Sequence, residues 1–200
     1  MKPSPLVQIK LIVISAPSGA GKTTLCKKLL EDFDELILSI STTTRPPRGD
    51  ETHGREYFFV SKDEFEKQIR KNKFAEWAMV HGNYYGTSKE VISSAAEQGK
   101  TVLLDIDVQG AASLRNLYSK SCLMVFITPP SLMELGKRLK ARGTDNEQAI
   151  EKRLKNAASE MGRTSEFDHV IINDSLERAY EELKKLVKKH LLRPATDLNG

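Results

Sequence analysis

The 200-residue sequence predicts an α/β fold in which a five-stranded parallel sheet is flanked by helices and carries two inserted segments. Three observations predict it. Five short runs rich in Ile, Val and Leu, at 11–15, 36–41, 102–106, 123–128 and 170–173, recur between helical patterns. Most of these runs lack strict apolar/polar alternation, which suits parallel strands covered on both faces. A glycine-rich sequence with a lysine and hydroxyl residues joins the first run to the first helix, the order in which phosphate-binding loops occur.

Taken in order, Leu11 to Ser15 is the first strand, and Ala16, Pro17, Ser18, Gly19, Ala20, Gly21, Lys22, Thr23 and Thr24 form the loop and enter the helix. Gly19 and Gly21 let backbone N–H groups turn inward around phosphate oxygens, Lys22 reaches the outer phosphates, and the Thr23 hydroxyl suits magnesium. Ala16 stands where the usual motif has its first glycine, the smallest departure a side chain can make. Leu25, Leu29 and Phe33 then recur every four residues along one helix face. After the second strand, residues 42–89 leave the alternation. They open on the turn-rich T-T-T-R-P-P-R-G-D and hold Tyr57, Phe58, Phe59, Trp77, Tyr84 and Tyr85, predicting a small mixed α/β lobe with a helix at 63–71. The strand at 102–106 carries Asp105. Residues 131–166 are charged and helical, a lid segment broken at Arg142-Gly143-Thr144, with Gly143 as a C-terminal stop and Thr144 with Glu147 as the next capping box. Ser175 to Leu191 places Leu176, Ala179, Leu183, Leu186 and Val187 on one side of a final helix. Asp174 and Glu177 are its expected capping box, and Arg193-Pro194 its end.

The division that follows is a core of residues 1–41, 90–130 and 167–192, a nucleotide-binding lobe at 42–89, a lid at 131–166, and a frayed tail at 193–200. The length suits one domain with insertions and excludes two independent cores. A net charge of +4, from 31 Lys plus Arg against 27 Asp plus Glu, suits an anionic ligand and does not call for nucleic acid. Cys26 and Cys122 have no metal-ligand spacing and suit buried thiols in a reducing compartment. The N-terminus lacks a signal-peptide pattern, and no run reaches membrane-spanning length, so a cytoplasmic protein is expected. The oligomeric state stays open.

Arg45, Arg48 and Tyr57 stand in the first insertion as donors without an obvious local carboxylate, which predicts a second phosphate site. Glu76, in A-E-W-A, is flanked by apolar groups. An enclosed carboxylate accepts two parallel N–H bonds, as the ring N–H and exocyclic amine of guanine offer, and adenine does not. Asp105, closing a strand beside the phosphate loop, suits magnesium held directly or through water. Asp107 to Gly110 imitates the D-x-x-G of GTP-hydrolysing switches, but no N-K-x-D accompanies it. Arg138 and Arg142 share a helix face, and with Arg153 they suit a closing lid over transferring phosphates. The four histidines have neither metal spacing nor a nucleophile partner.

Together the stretches A-P-S-G-A-G-K-T, S-T-T-T-R-P-P-R-G, E-Y-F-F-V, F-A-E-W-A, G-N-Y-Y-G-T, L-D-I-D-V-Q-G, K-R-L-K-A-R-G-T and V-I-I-N-D resemble the guanylate kinase family from about Lys10 to Leu192. The resemblance implies the nucleoside monophosphate kinase form of the P-loop fold, transfer of phosphate from ATP to GMP with Mg2+, and no nucleic-acid or membrane partner. It implies that Ser41, Glu76, Thr87 and Asp107 hold guanine, and that Arg45, Arg48, Tyr57 and Tyr85 grip the GMP phosphate. Arg138, Arg142 and Arg153 would act from the lid, with Lys22 and Arg45 among the catalytic groups, and Asn173 would lie near adenine. Two other functions share the architecture: a catalytically inactive phosphopeptide-binding module, which would lose Lys22 and the lid arginines, and a kinase of another nucleoside monophosphate, which would differ at Glu76.

Overall fold

A computed structural model describes residues 9–80, 82–118, 121–141, 143 and 146–192. Five strands, β1 (Leu11–Ser15), β2 (Leu36–Leu38), β7 (Thr101–Asp105), β8 (Cys122–Thr128) and β9 (His169–Ile172), form one sheet in the order β2-β7-β1-β8-β9, with every pair parallel. The central strand is buried along its whole length. Alternate residues supply the two sides of the core, as the period of a strand requires. Ile12, Ile14, Leu103 and Val125 pack with Leu25 and Leu29 of α1 (Lys22–Asp32) and with Ala179, Leu183 and Val187 of α7 (Leu176–Leu191). Leu11, Val13, Leu104 and Met124 face the other way, against Ile92 of α3 (Lys89–Glu97) and Leu114 of α4 (Val108–Tyr118). The five predicted runs therefore hold the five strands, and the double cover accounts for the lack of alternation in β1, β7 and β8, whereas β9 at the sheet edge leaves Val170 and Ile172 exposed.

The second strand is shorter than predicted. After the Ser39 N–H donates to the Leu103 carbonyl (2.9 Å), the chain leaves the core sheet and enters a second one. That sheet has four strands, β3 (Thr42–Thr43), β4 (Phe58–Phe59), β5 (Phe74–Val80) and β6 (Asn83–Ser88), in the order β4-β3-β6-β5. Helix α2 (Lys62–Arg70) covers it, starting at Ser61, whose side chain accepts from the Glu64 N–H. Phe65, fully buried, stacks on Phe74 (4.4 Å between centroids) and on Tyr84 (5.1 Å), so the aromatic residues of the insertion form its own small core. Ala75 of β5 reaches the main core beside α4, docking this sheet on the rest of the molecule.

Residues 131–166 are helical as expected: α5 (Leu132–Ala141), α6 (Glu147–Met161) and a short 3-10 turn at Thr164–Glu166. Leu135, Leu139, Ile150 and Ala157 form a separate apolar cluster between the two helices. Two caps differ from the expectation. The N-cap of α6 is Asn146, which accepts from the Ala149 N–H at 2.9 Å; the expected cap at Thr144 lies outside the described residues, as do Arg142, His81 and the 193–200 tail. The N-cap of α7 is Ser175, accepting from Arg178, not Asp174; Asp174 instead accepts from the Ser175 N–H at 2.6 Å. A serine one residue nearer the helix wins because its short side chain reaches the third N–H directly. No described helix is long and apolar enough to cross a membrane.

Candidate active site

The phosphate-type loop turns at the C-terminal end of β1, the central strand, where open parallel sheets place their ligands. Gly19 and Gly21 have φ near 99° and 97°, a region that a side chain would strain. Gly19 also lies under α5, because a Cβ there would stand 3.0 Å from both Leu135 and Leu139. Gly21 is the N-cap of α1 and offers no side-chain acceptor, so the first N–H groups of that helix stay open at a cavity lined by Lys22, Thr23 and Thr24. Ala16 is 8% exposed and belongs to the main apolar cluster, which explains why a methyl group is tolerated where the motif has glycine.

Lys22 Nζ lies 2.5 Å from the Asp105 carboxylate and donates to the Ile106 carbonyl at 3.2 Å. Burial by itself would lower its pKa, but the bond and charge of Asp105 outweigh burial and raise it. The lysine is thus held charged over the loop. Thr23 is exposed and Asp105 is 30% exposed, both on the same cavity. These are hard oxygen donors, few in number, and no cluster of three or more His, Cys, Asp or Glu suited to a metal occurs among the described residues. The set fits Mg2+, which keeps water and substrate phosphates as most of its ligands, and would not make a self-sufficient protein cage.

The same cavity, about 360 Å3 in volume, is also walled by Ser41, Tyr57, Glu76, Tyr85 and Asp107, with Tyr57 within electrostatic reach of Lys22. Glu76 and Thr87 are paired across β5 and β6, and the Thr87 hydroxyl donates to Glu76 Oε1 at 2.5 Å. A β-bulge between Phe74 and Glu76 sets that pairing. Glu76 is 6% exposed. Burial pushes its carboxyl up to about 7, the Thr87 bonds oppose the shift, and the Asp107 charge adds to it. Asp107 accepts from the Gly110 N–H at 2.9 Å, so the D-V-Q-G stretch is the capped start of α4. Gly110 has a second role: a Cβ there would come within 2.5 Å of Glu76 Oε2.

Arg45 is buried and stands behind Tyr57 and Tyr85, its guanidinium 5.3 Å from the Tyr57 ring centroid. The expectation that it has no local carboxylate is corrected. Arg45 Nη2 donates to both oxygens of Glu51 (3.0 and 2.9 Å), and Nη1 donates to the Pro46 carbonyl at 2.7 Å. Glu51 also accepts from the Arg48 N–H at 2.8 Å, closing the turn that Gly49, with φ of 52°, makes possible. The Arg48 side chain is exposed and does not line the cavity.

Three contacts tie α5 and α6 to the loop. Arg153 Nη1 donates to Ser18 Oγ at 3.0 Å, and Arg138 Nη2 donates to the Asn173 carbonyl at 3.0 Å. Asn173, 5% exposed, in turn donates its side-chain amide to the Ala20 carbonyl at 2.7 Å. Asn173 therefore braces the loop from outside the cavity. Glu51, Gly110 and Glu160 carry site geometry that motif reading missed. Glu160 lines the cavity from α6, and it was detectable in principle because it follows Arg153 by seven residues, two helical turns, on the same face.

The family model described as guanylate kinase matches residues 8–190. A guanylate kinase of Polaromonas sp. is 50% identical over 183 residues, which cover 92% of this chain and 88% of that protein. One from Dechloromonas aromatica is 51% identical over 178 residues, covering 89% and 88%. The crystal structure of guanylate kinase from Anaplasma phagocytophilum matches with a TM-score of 0.77 at 28% identity, over 95% of this chain and 90% of that one. A model match of this extent, together with relatives at this identity and coverage, means that the chain belongs to the guanylate kinase family.

Proposed function

We propose that this chain is an ATP-dependent guanylate kinase that transfers the terminal phosphoryl group of ATP to GMP, giving ADP and GDP. The observation that carries the reading is the chemical contrast between the two ends of one cavity. Lys22 and the open N–H groups of α1 stand at one end, and Glu76 braced by Thr87, with Asp107, at the other. The first suits phosphate. The second suits a base whose edge donates two N–H bonds, which among the common nucleobases favours guanine.

On this reading Ser41, Glu76, Thr87 and Asp107 hold the base. Arg45, Arg48, Tyr57 and Tyr85 hold the acceptor phosphate, with Glu51 setting the Arg45 fork. Residues Ala16 to Thr24 cradle the donor phosphates, and Lys22 follows charge onto the oxygens of the transferring group. Thr23 and Asp105 would hold Mg2+, directly or through water. Bound there, the ion neutralises donor phosphate charge and steadies the leaving oxygen. A GMP phosphate oxygen forms the new P–O bond as the bond from the terminal phosphorus of ATP to its bridging oxygen breaks. No general base is needed, since the second pKa of a phosphate monoester is near about 6 and the acceptor is mostly the dianion at neutral pH. Arg138, Arg142 and Arg153 act from residues 131–166, treated as a lid that excludes water. Asn173 links Arg138 to the loop on the adenine side. The division into core, 42–89 lobe and lid is part of the same proposal. Free, buried Cys26 and Cys122 suit a reducing, cytoplasmic setting.

The test is ADP formation from ATP and Mg2+ with GMP, AMP, UMP, CMP or dTMP as acceptor and a control with none. Turnover with GMP far above the others is expected. Equal or greater turnover with another acceptor would overturn the base assignment, and turnover without acceptor would overturn the kinase reading.

A further inference from the structure

Residues 131–166 contribute one described side chain to the cavity, and it is neither of the lid arginines described above but Glu160. Arg153, seven residues earlier in α6, fixes that helix face over the phosphate loop by donating to Ser18. Two helical turns carry Glu160 about 10 Å further along the axis. Its carboxyl is within electrostatic reach of both Lys22 at the phosphate end and Asp107 at the base end. Burial pushes it up to about 7, the Lys22 charge opposes that shift, and Asp107 adds to it. Among the described residues no hydrogen bond or ion pair engages its side chain. It is a half-buried acceptor on the cavity wall, within reach of both Lys22 and Asp107.

On the assignment above, GMP lies with its base at Glu76 and Asp107 and its phosphate at Tyr57 and Tyr85, short of the Lys22 loop that takes the donor phosphates, and its sugar lies between base and phosphate along the same cavity wall. Phosphate oxygens would repel a carboxylate, and the donors that a ribose offers at that depth are its hydroxyl groups. We propose that Glu160 is a specificity-determining residue that accepts a hydrogen bond from the 2′-hydroxyl of the acceptor nucleotide. This inference rests on the guanylate kinase reading above and extends it to the sugar. An acidic side chain taking a ribose 2′-hydroxyl is the same chemistry by which dinucleotide-binding folds read that group. A hydrogen bond to a half-buried carboxyl acceptor, in a site that leaves the acceptor unpaired when the hydroxyl is missing, is worth roughly tenfold in discrimination.

The experiment compares kcat/KM for GMP and dGMP, and KM for ATP, in the full-length protein and in its Glu160→Ala and Glu160→Gln variants, with thermal unfolding run alongside. The unaltered protein should favour GMP by about tenfold. Glu160→Ala should lower kcat/KM for GMP by about that factor, leave dGMP within threefold, and keep KM for ATP. Glu160→Gln, which retains a neutral acceptor, should fall between and supplies the test should the alanine variant fold poorly. Equal losses with GMP and dGMP, or an unaltered protein that does not distinguish them, would overturn the role of Glu160 while leaving GMP kinase activity in place. Absence of GMP turnover in the unaltered protein would instead overturn the underlying reading.

Discussion

Gly110→Ala separates activity from stability more cleanly than any other single change here. Gly110 lies in the first turn of α4 with no left-handed backbone, so alanine is not strained and gains about 1 kcal/mol of helix propensity. Its Cβ, however, would stand 2.5 Å from Glu76 Oε2 and 3.0 Å from Glu76 Cδ. Ordinary contact begins near 3.4 Å, so one side must give by roughly 1 Å. The helix is fixed by Val108, Ala111 and Leu114 in the core, which leaves the carboxylate to move. Its other oxygen is tied to Thr87 at 2.5 Å, so the movement is a rotation or withdrawal that strains that bond. A displacement of about 1 Å in a positioning group costs on the order of 100-fold, equivalent to about 2.7 kcal/mol of transition-state stabilisation. Steady-state kinetics should therefore show kcat/KM for GMP reduced about 100-fold, KM for ATP within threefold, and a melting temperature equal to or above that of the unaltered protein. Gly136→Ala is the control, because a Cβ there meets Leu154 at an ordinary 3.6 Å, and it should leave both substrates within threefold. A Gly110→Ala variant within threefold of normal for GMP would refute the claim that this glycine exists to seat Glu76.

Three further outcomes are expected. Lys22→Met, which removes the charge at the loop and leaves Asp105 without its 2.5 Å partner, should keep the fold by circular dichroism and retain less than a tenth of normal turnover. Glu51→Gln should loosen the Arg45 fork and lower kcat/KM for GMP by about tenfold with KM for ATP unchanged; an equal effect on both substrates would place Glu51 in general folding instead. Glu76→Gln should cost at least tenfold in kcat/KM for GMP and also change the pH dependence of stability. Because burial raises this carboxyl from 4.5 to about 7, both states hold the proton well below pH 4.5, and between 4.5 and 7 the unfolded chain ionises first. The native protein therefore loses stability as pH rises through that window, and the glutamine variant does not. Denaturant unfolding should find the two close at pH 4 and the variant ahead by about 3 kcal/mol at pH 8.

The parallel core was legible because its strands are buried on both faces, so Leu11 to Ile14 and Leu123 to Thr128 stand out against the charged helices around them. The loop was legible because Gly19, Gly21 and Lys22 are adjacent and need no tertiary context. Local competition between near-equivalent groups was not legible: Ser175 caps α7 although Asp174 sits beside it, and β2 ends at Leu38 although the apolar pattern runs on to Ile40, because the chain must turn into a second sheet. Glu51 and Gly110 escaped for a related reason. Glu51 meets Arg45 only through the turn at Gly49, and the importance of Gly110 is the absence of a side chain opposite a residue 34 positions earlier in the chain. Sequence patterns report faces and spacing, and neither contact is a matter of either.

The placement of charge in the cavity also fixes which way a nucleotide can lie. The Lys22 end offers cation and N–H donors, and the Glu76 and Asp107 end offers carboxylates, whose mutual repulsion contributes to holding Glu76 near neutrality in pH. GMP has the complementary polarity, anionic at its phosphate and donor-rich at the guanine edge. Reversal would press a phosphate dianion against two acids and leave Arg45, Tyr57 and Tyr85 facing a base, so the wrong orientation is opposed by repulsion as well as by lost contacts. The same polarity bears on the fit of base to site. Two N–H donors drawn to Glu76 favour its ionised form, so guanine binding should release a proton near pH 7 that an adenine edge, with one donor and one acceptor, would not release as fully. Selectivity for guanine should thus be expressed partly as proton linkage, and it should weaken on acidification as Glu76 takes up the proton that the base has to displace.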